Sequence, residues 1–295
     1  MFYSNPVFSV ITPTFNRAHT LLKCAEGLKS QIFKKFEWIV IDDGSTDNTH
    51  ELIKNLIFDF NIIYKYQDNK GKASAVDFGI SIAKGKYIII LDSDDIPLPN
   101  ALDTFYNEFM TSNIDICGVA SLTSYSNGKI IGTIKSKSPL YATSLNAYSK
   151  KKLTGDKWFA FKKNIIEKYK NPVYDNEKFV TEGIVYNRIS RDGYIVKFLT
   201  KSLLIHDYLD DGLTKNHLYL RSKSPIGFIA YYIENLNSID VELTTYYFRN
   251  AANIIRNSII NSKKPLFVAI LFVISFPVGL IIGVYDAYIL NKKNK

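Results

Sequence analysis

"KYIIILDSDDIP", residues 86–97, decides how the rest of the chain is read. Tyr87 to Leu91 form a near-continuous apolar run, the pattern of a strand covered by helices on both faces. The run ends in Asp92, Asp94 and Asp95, three carboxylates within four positions. Carboxylates crowd at the mouth of a hydrophobic core only where something offsets their mutual repulsion. A positive charge is therefore expected beside them.

Outward from this strand, the chain alternates between periods of two and about 3.6 residues, as βαβ units do. "VFSVIT" (7–12), "FEWIVID" (36–42) and "NIIYKY" (61–66) read as strands. A helix is predicted from Ala18 to about Ser30. A second is predicted over about 47–58, with Leu52, Ile53 and Leu56 on one face and Ser45 or Asp47 as its cap. A third places Ala73, Val76, Ile80 and Ala83 at helical spacing and is expected to stop at Gly85. "ALDTFYNEFM" (101–110) and "DICGVAS" (115–121) add a helix and a strand. The prediction is an open, mostly parallel α/β sheet flanked by helices. In such sheets ligands bind beyond the carboxyl ends of the strands. The polar loops "TPTFNR" (12–17), "DDGSTD" (42–47) and "DSDD" (92–95) all follow strands, so they converge on one edge. That convergence points to a nucleotide-type pocket.

Composition narrows the class. The 295 residues suffice for a full α/β domain and a second region. Two cysteines, Cys24 and Cys117, argue against a disulfide framework or a cysteine zinc site. The amino-terminal stretch lacks the basic and long apolar regions of a signal peptide, so a reducing, cytoplasmic setting is the default expectation. The net charge of +9 is uneven: residues 216–295 hold nine Lys/Arg against four Asp/Glu. No basic stripe interleaved with aromatics forms a nucleic-acid motif, and an anionic membrane surface suits the basic tail better.

Asp92 and Asp94, one residue apart, can reach the same point beyond the strand. Hard oxygen ligands of this kind suit Mn²⁺ or Mg²⁺, which complete their coordination with water and substrate phosphates. The alternative use for these aspartates is to cap the helix starting near Pro99–Asn100. A Walker A loop is excluded by spelling, because Tyr66 and Ala73 stand where Gly and Ser/Thr are required around Gly71–Lys72. No G-x-G-x-x-G follows a strand. Any bound phosphate is therefore expected to be held through a metal.

"FSVITPTFNR" (8–17), "WIVIDDGSTDNT" (38–49) and "GKASAVDFGISIAKGKYIIILDSDD" (71–95) resemble the successive signatures of family 2 glycosyltransferases with the GT-A fold. The resemblance is strong over about 7–97. A weaker one runs through "GDKWFAFKKNIIEKY" (155–169), "NEKFVTEGIVYNRI" (176–189) and "YLDDGLT" (208–214), and is to bacterial enzymes that build capsule, lipopolysaccharide and similar surface glycans. It implies a catalytic domain over 1–215, with a nucleotide-sugar half (1–97) and an acceptor half (98–215). Pro13, Thr14 and Phe15 would line the base and ribose of the donor. Asp43 would accept a hydrogen bond from the base, with Asp42 beside it. Lys72 would reach the ribose or diphosphate, and Asp92 and Ser93 would contact the nucleotide sugar. Asp77 stands where many relatives carry Asn and receives no role.

Inverting glycosyl transfer needs a general base on the acceptor hydroxyl, separate from the metal carboxylates. Glu182 is the candidate: it sits at a helix start, with Ile184, Val185 and Ile189 facing the core. Many relatives read Glu-Asp here, and this chain reads Glu182-Gly183. Asp156, Asp175 and Glu177 are the competing carboxylates. Asp156 and Trp158, in a loop-like "GDKWF" (155–159), are candidate acceptor contacts. His206 reads as a core or surface histidine, although some GT-A enzymes use one there as a metal ligand. Asp210 and Asp211 fall in a loop able to close over the donor.

From about residue 218 the signals are helical. The 21 uncharged residues 265–285, with lysines on both sides, are long enough to span a bilayer, but Pro277, Gly279 and Gly283 favour a kinked hairpin dipping into the cytoplasmic leaflet. The expectation is an enzyme on the cytoplasmic face of the membrane, using a UDP-sugar and a glycan acceptor linked to polyprenyl diphosphate, in surface polysaccharide synthesis. Two alternatives stand beside it. A nucleotidyltransferase would carry a glycine-rich loop after the first strand, and "TPTFNRAH" has no glycine. An inactive membrane-associated scaffold gives no reason to keep Asp92, Asp94 and Glu182 together.

Overall fold

The computed structural model describes residues 5–134, 136–151, 153–174, 177–206, 217–237 and 245–261. The chain opens with β1 (Phe8–Thr14), α1 (Ala18–Lys29), β2 (Phe36–Asp42), α2 (Thr49–Asn55), β3 (Asn61–Tyr66), α3 (Lys72–Ile82) and β4 (Tyr87–Ile90). Its middle supplies β5 (Ile96–Pro97), α4 (Ala101–Met110), β6 (Gly118–Ser124), β7 (Ile130–Ile131), β8 (Leu140–Ala142) and α5 (Ser144–Ser149). Then follow β9 (Lys157–Lys162), α6 (Lys163–Ile166), α7 (Gly183–Arg191) and β10 (Val196–Ile205), and three helices: α8 (His217–Lys223), α9 (Pro225–Asn237) and α10 (Thr245–Asn261).

One sheet runs β3-β2-β1-β4-β9-β6-β10-β5, with β7 beside β6 and β8 beside β10. β3, β2, β1 and β4 are parallel, joined by the crossover helices that parallel pairing requires. β9 runs against both β4 and β6, whereas β6 and β10 are again parallel. The long strands share one direction apart from β9, and the sheet as a whole is mixed. The first crossovers step outward from β1 to β2 and β3. The next returns to the other side of β1 to place β4. The switch of direction between β1 and β4 leaves a crevice at their carboxyl ends.

Alternation along the strands builds a core on each face of the sheet. Phe8, Val10, Trp38, Val40 and Ile89 pack with Leu21, Leu28 and Phe105 from α1 and α4. Ile11, Ile39, Ile41 and Ile88 pack with Ala75, Val76 and Ile80 from α3 and with Val185 and Ile189 from α7. Ile184 is also fully buried, so the predicted inward face of α7 holds.

Three local expectations change. α2 ends at Asn55 rather than near Phe58, because the chain turns extended at Leu56 and carries Phe60 onto Phe36, ring centroids 4.6 Å apart. α3 ends at Ile82, so Gly85 is not its stop. A Cβ at Gly85 would stand 2.4 Å from the Ser9 backbone nitrogen, and the Gly85 N–H donates to Ser9 Oγ. "GDKWF" is no loop beyond its first two residues, because Lys157 onward is strand β9.

α8–α10 do not hang free of the domain. Tyr231 of α9 lies against Gly183, Glu234 accepts from Arg188 and Arg191, and Asn187 donates to Asn235. Both carboxylate oxygens of Glu177 cap α9 through the N–H groups of Ile226 and Gly227, each at 2.8 Å. Segment 265–285, the loop with Asp210 and Asp211, and Asp175 lie outside the described residues. Among the described residues no helix is long and apolar enough to cross a membrane.

Candidate active site at the β1–β4 switch

The loops after β1 and β2 are stitched into one wall. Asn16 takes a left-handed backbone, φ 54°, which an asparagine tolerates better than most residues. Its N–H donates to Ser45 Oγ at 2.9 Å, and its Oδ1 accepts the Thr46 N–H at 2.8 Å. Asp47 accepts the Ala18 N–H that opens α1 and, with its other oxygen, the N–H and hydroxyl of Thr49 at the start of α2. Asp47 thus does the capping predicted for one of the pair, and Ser45 braces the neighbouring loop instead.

Asp42 and Asp43 are both buried. Asp42 accepts the Ser45 N–H and the Tyr64 hydroxyl. Asp43 Oδ1 accepts from Gln67 Nε2 and the Lys70 N–H, and Oδ2 from the Gly71 N–H. That carboxylate shapes the loop leading into α3 and retains lone pairs on Oδ2 for one further donor. Pro13 and Thr14 are buried at the end of β1, with Thr14 in register with Asp42, while Phe15 is 46% exposed. The buried Thr14 hydroxyl has no protein partner. Asp77, given no role from the sequence, holds the Asn171 backbone and side-chain amides.

The expected positive charge is Lys72. From the first turn of α3 its Nζ lies 2.7 and 2.8 Å from the two oxygens of Asp92 and 2.8 Å from Glu182 Oε1. Burial opposes its charge, but Asp92 and Glu182 more than compensate and push its pKa well above the usual lysine value. Glu182 immediately precedes α7, and its other oxygen accepts from the Tyr186 hydroxyl at 3.1 Å. Residues far apart in sequence thus meet on one ammonium.

The aspartates do not cap α4. Asn100 precedes that helix without a side-chain cap bond. Asp94 is raised by burial and then by the charge of Asp92. Ser93 is buried between them. Asp95 lies 2.5 Å, Oδ1 to Nδ1, from His206, which follows β10. Hydrogen bonding to Asp95 and the charges of Asp92 and Asp94 raise the His206 pKa to about 9 against the effect of burial. This contact places His206, read from the sequence as a core or surface histidine, at the carboxylate cluster.

A cavity of about 1780 Å³ opens beside this cluster, lined by Lys72, Asp92, Asp95, Asp156, Trp158, Glu182, Tyr186 and His206. α8–α10 close its far side with Arg221, Tyr231 and Tyr232. Trp158 borders it from β9 as a core residue, 4% exposed, its Nε1 donating to the Ile90 carbonyl. Trp158 therefore sits in a strand rather than a loop, packed into the wall of the cavity it lines. Among the competing carboxylates Asp156 lines the cavity, whereas Glu177 is occupied by α9. The place of Tyr186 in the site and the packing of the far-wall helices beside it escaped the sequence reading, because an aromatic or arginine at helical spacing carries no motif.

In donor chemistry alone, Asp92 and Asp94 suit a divalent cation. They offer hard oxygens, and the ammonium on both Asp92 oxygens shows that positive charge is accommodated at that point. Among the described residues no group of three or more His, Cys, Asp and Glu forms a closed metal site. Water and a diphosphate would supply the remaining positions.

The profile of Glycosyl transferase family 2 matches residues 9–170, more than half of the chain. Glycosyltransferase GlyG of Streptococcus pneumoniae serotype 4 is 38% identical over 112 residues, which cover 37% of each chain. An uncharacterized glycosyltransferase of Rickettsia bellii is 41% identical over 134 residues, 44% of this chain and 19% of that one. The matches thus span well under half of these relatives. In fold, the chain is similar to Staphylococcus aureus TarS 1–349 in complex with UDP-GlcNAc, with a TM-score of 0.63 at 15% identity over 90% of this chain and 73% of that one. A Pyrobaculum calidifontis mannosyltransferase in complex with GDP-Man and Mn²⁺ gives 0.56 at 16%, over 97% and 81%. The fold is of the GT-A type.

Proposed function

The chain belongs to glycosyl transferase family 2, and from that premise we propose that it is an inverting, metal-dependent glycosyltransferase. It moves a sugar from a nucleoside diphosphate, UDP in the first instance, to a hydroxyl of a glycan acceptor. One observation carries the reading: Asp92, on the donor side, and Glu182, at the acceptor cavity, stand on the same ammonium.

In this reading Pro13, Thr14, Phe15 and Asp43 receive the base and ribose, with Asp42 bracing the loop below. Asp92 and Asp94 would hold the cation, Mn²⁺ or Mg²⁺, which when bound would supply charge to offset that developing on the leaving diphosphate. Lys72 and Ser93 face the same diphosphate. Glu182 takes the proton from the acceptor hydroxyl as its oxygen attacks the anomeric carbon, and the bond to the diphosphate breaks on the opposite side. Asp156 borders the cavity in which the acceptor lies.

The apolar stretch 265–285 and its flanking lysines support an acceptor carried on a polyprenyl diphosphate at the cytoplasmic face of the membrane, in surface polysaccharide synthesis. The test is to incubate the purified protein with a panel of nucleotide sugars and Mn²⁺, scoring donor hydrolysis and shift in melting temperature. A UDP-sugar that is hydrolysed and raises the melting temperature supports the reading. No response to any nucleotide sugar overturns it.

A further inference from the structure

Lys72 is bound in a way that a plain donor-contacting lysine is not. Its Nζ is bonded to Asp92 through both carboxylate oxygens and to Glu182 through one. Its side chain is 27% exposed, and it enters from α3, whose start is fixed by Gly71. Gly71 has φ +93°, and a Cβ there would stand 1.9 Å from the Lys178 carbonyl oxygen. The Gly71 N–H is held by Asp43. The ammonium is therefore positioned by the fold rather than by chance of a flexible side chain.

An ammonium on both oxygens of Asp92 takes one lone pair of each and sets a full positive charge against the carboxylate that would ligate a cation. A divalent ion arriving alone must displace it, or share one carboxylate with it against direct repulsion. The same ammonium holds Oε1 of Glu182, and Tyr186 holds Oε2, so both oxygens of the proposed base are engaged. A diphosphate changes this, because it offers the ammonium a new anionic partner as the cation takes Asp92.

We propose that Lys72 is a stand-in cation, a positioning residue that holds Asp92 and Glu182 together without donor and makes divalent-metal binding depend on nucleotide. This rests on the metal and donor assignments above. In the donor-free protein Lys72 shields Asp92 from the ion. When metal and diphosphate arrive together, the ammonium moves to the diphosphate and both carboxylates are released at once.

The test measures Mn²⁺ binding by electron paramagnetic resonance of the free ion, without nucleotide and with a nucleoside diphosphate from a panel of UDP, GDP and dTDP. Wild type is compared with Lys72→Met and Lys72→Arg, each checked for native melting. Wild type should bind Mn²⁺ weakly alone and at least tenfold more tightly with its nucleotide. Lys72→Met should bind Mn²⁺ alone at least tenfold more tightly than wild type and show a smaller gain from nucleotide than wild type does. Lys72→Arg, which keeps the charge, should behave as wild type without nucleotide. Unchanged or weaker Mn²⁺ binding by folded Lys72→Met overturns the stand-in role while leaving the glycosyltransferase reading intact, provided wild type binds metal and nucleotide together. Failure of wild type to bind Mn²⁺ with any nucleotide overturns both.

Discussion

Asp94 shows how one side chain tests the metal assignment. Burial and the charge of Asp92 hold its proton more tightly than usual, and a cation would relieve both effects. Asp94→Ala should therefore abolish transfer, and removal of divalent metal with EDTA should do the same to wild type. Full activity of Asp94→Ala in EDTA-treated buffer would refute a metal on this pair. Glu182 is tested differently. Glu182→Gln keeps the shape and the Tyr186 contact but cannot accept a proton, so turnover should fall by about a hundredfold or more. The melting-temperature shift given by donor should persist. If turnover barely moves, Asp156 becomes the base to examine, since Glu177 is committed to α9.

Between elements, the junction of α7 with α9 leaves room for glycine and no larger residue after Glu182, where the family resemblance implies an aspartate. A Cβ at Gly183 would stand 2.5 Å from Tyr231 Cε2, so the ring occupies the space an aspartate would need. Gly183→Asp should cost about 1–3 kcal/mol as an overpacked contact, read as a lower midpoint in urea unfolding. In a Tyr231→Ala background the same change should cost much less, because the obstructing ring is gone. Equal costs in both backgrounds would show that Tyr231 is not the cause. The sequence carried the glycine in plain view. Its reason lay 48 positions away, on a helix with no motif of its own.

Across the whole molecule, α8–α10 belong with the catalytic unit, although composition alone sets the chain after about residue 215 apart as a tail. Glu234 holds two arginines of α7, Asn235 links Asn187 to Asn250, and Glu177 caps α9. Cutting after residue 216 should lower the melting temperature by about 5 °C or more and remove donor hydrolysis, because α7 positions Glu182. Cutting after Asn261 leaves these contacts in place, so folding and donor hydrolysis should survive. The cut after Asn261 also tests the membrane proposal. Burying apolar side chains yields about 0.8 kcal/mol per CH₂, far more than the lysines contribute alone. The full chain should stay in the membrane pellet at 1 M salt, and the chain ending at Asn261 should become soluble. Release of the full chain by salt would refute an inserted segment, since salt screens lysines and leaves insertion untouched.

By itself the sequence determined the strand and helix order through β4, the two-faced core of the sheet and the loops at its carboxyl edge, but not the short β5 that precedes α4. These follow from periodicity and local turn chemistry, which are short-range. The same logic exposed the aspartates and the need for a compensating charge. Which group supplies that charge was beyond it, because Lys72, Asp92 and Glu182 are separated by 20 and 110 positions and meet only when the sheet closes. The contact of His206 with Asp95, the strand beneath Trp158 and the use of Glu177 as a helix cap share that origin. Each depends on where a distant segment lands, and side-chain pairing across the fold leaves no period in the chain. Tertiary structure alone decided which carboxylates face the cavity and which are held by the backbone.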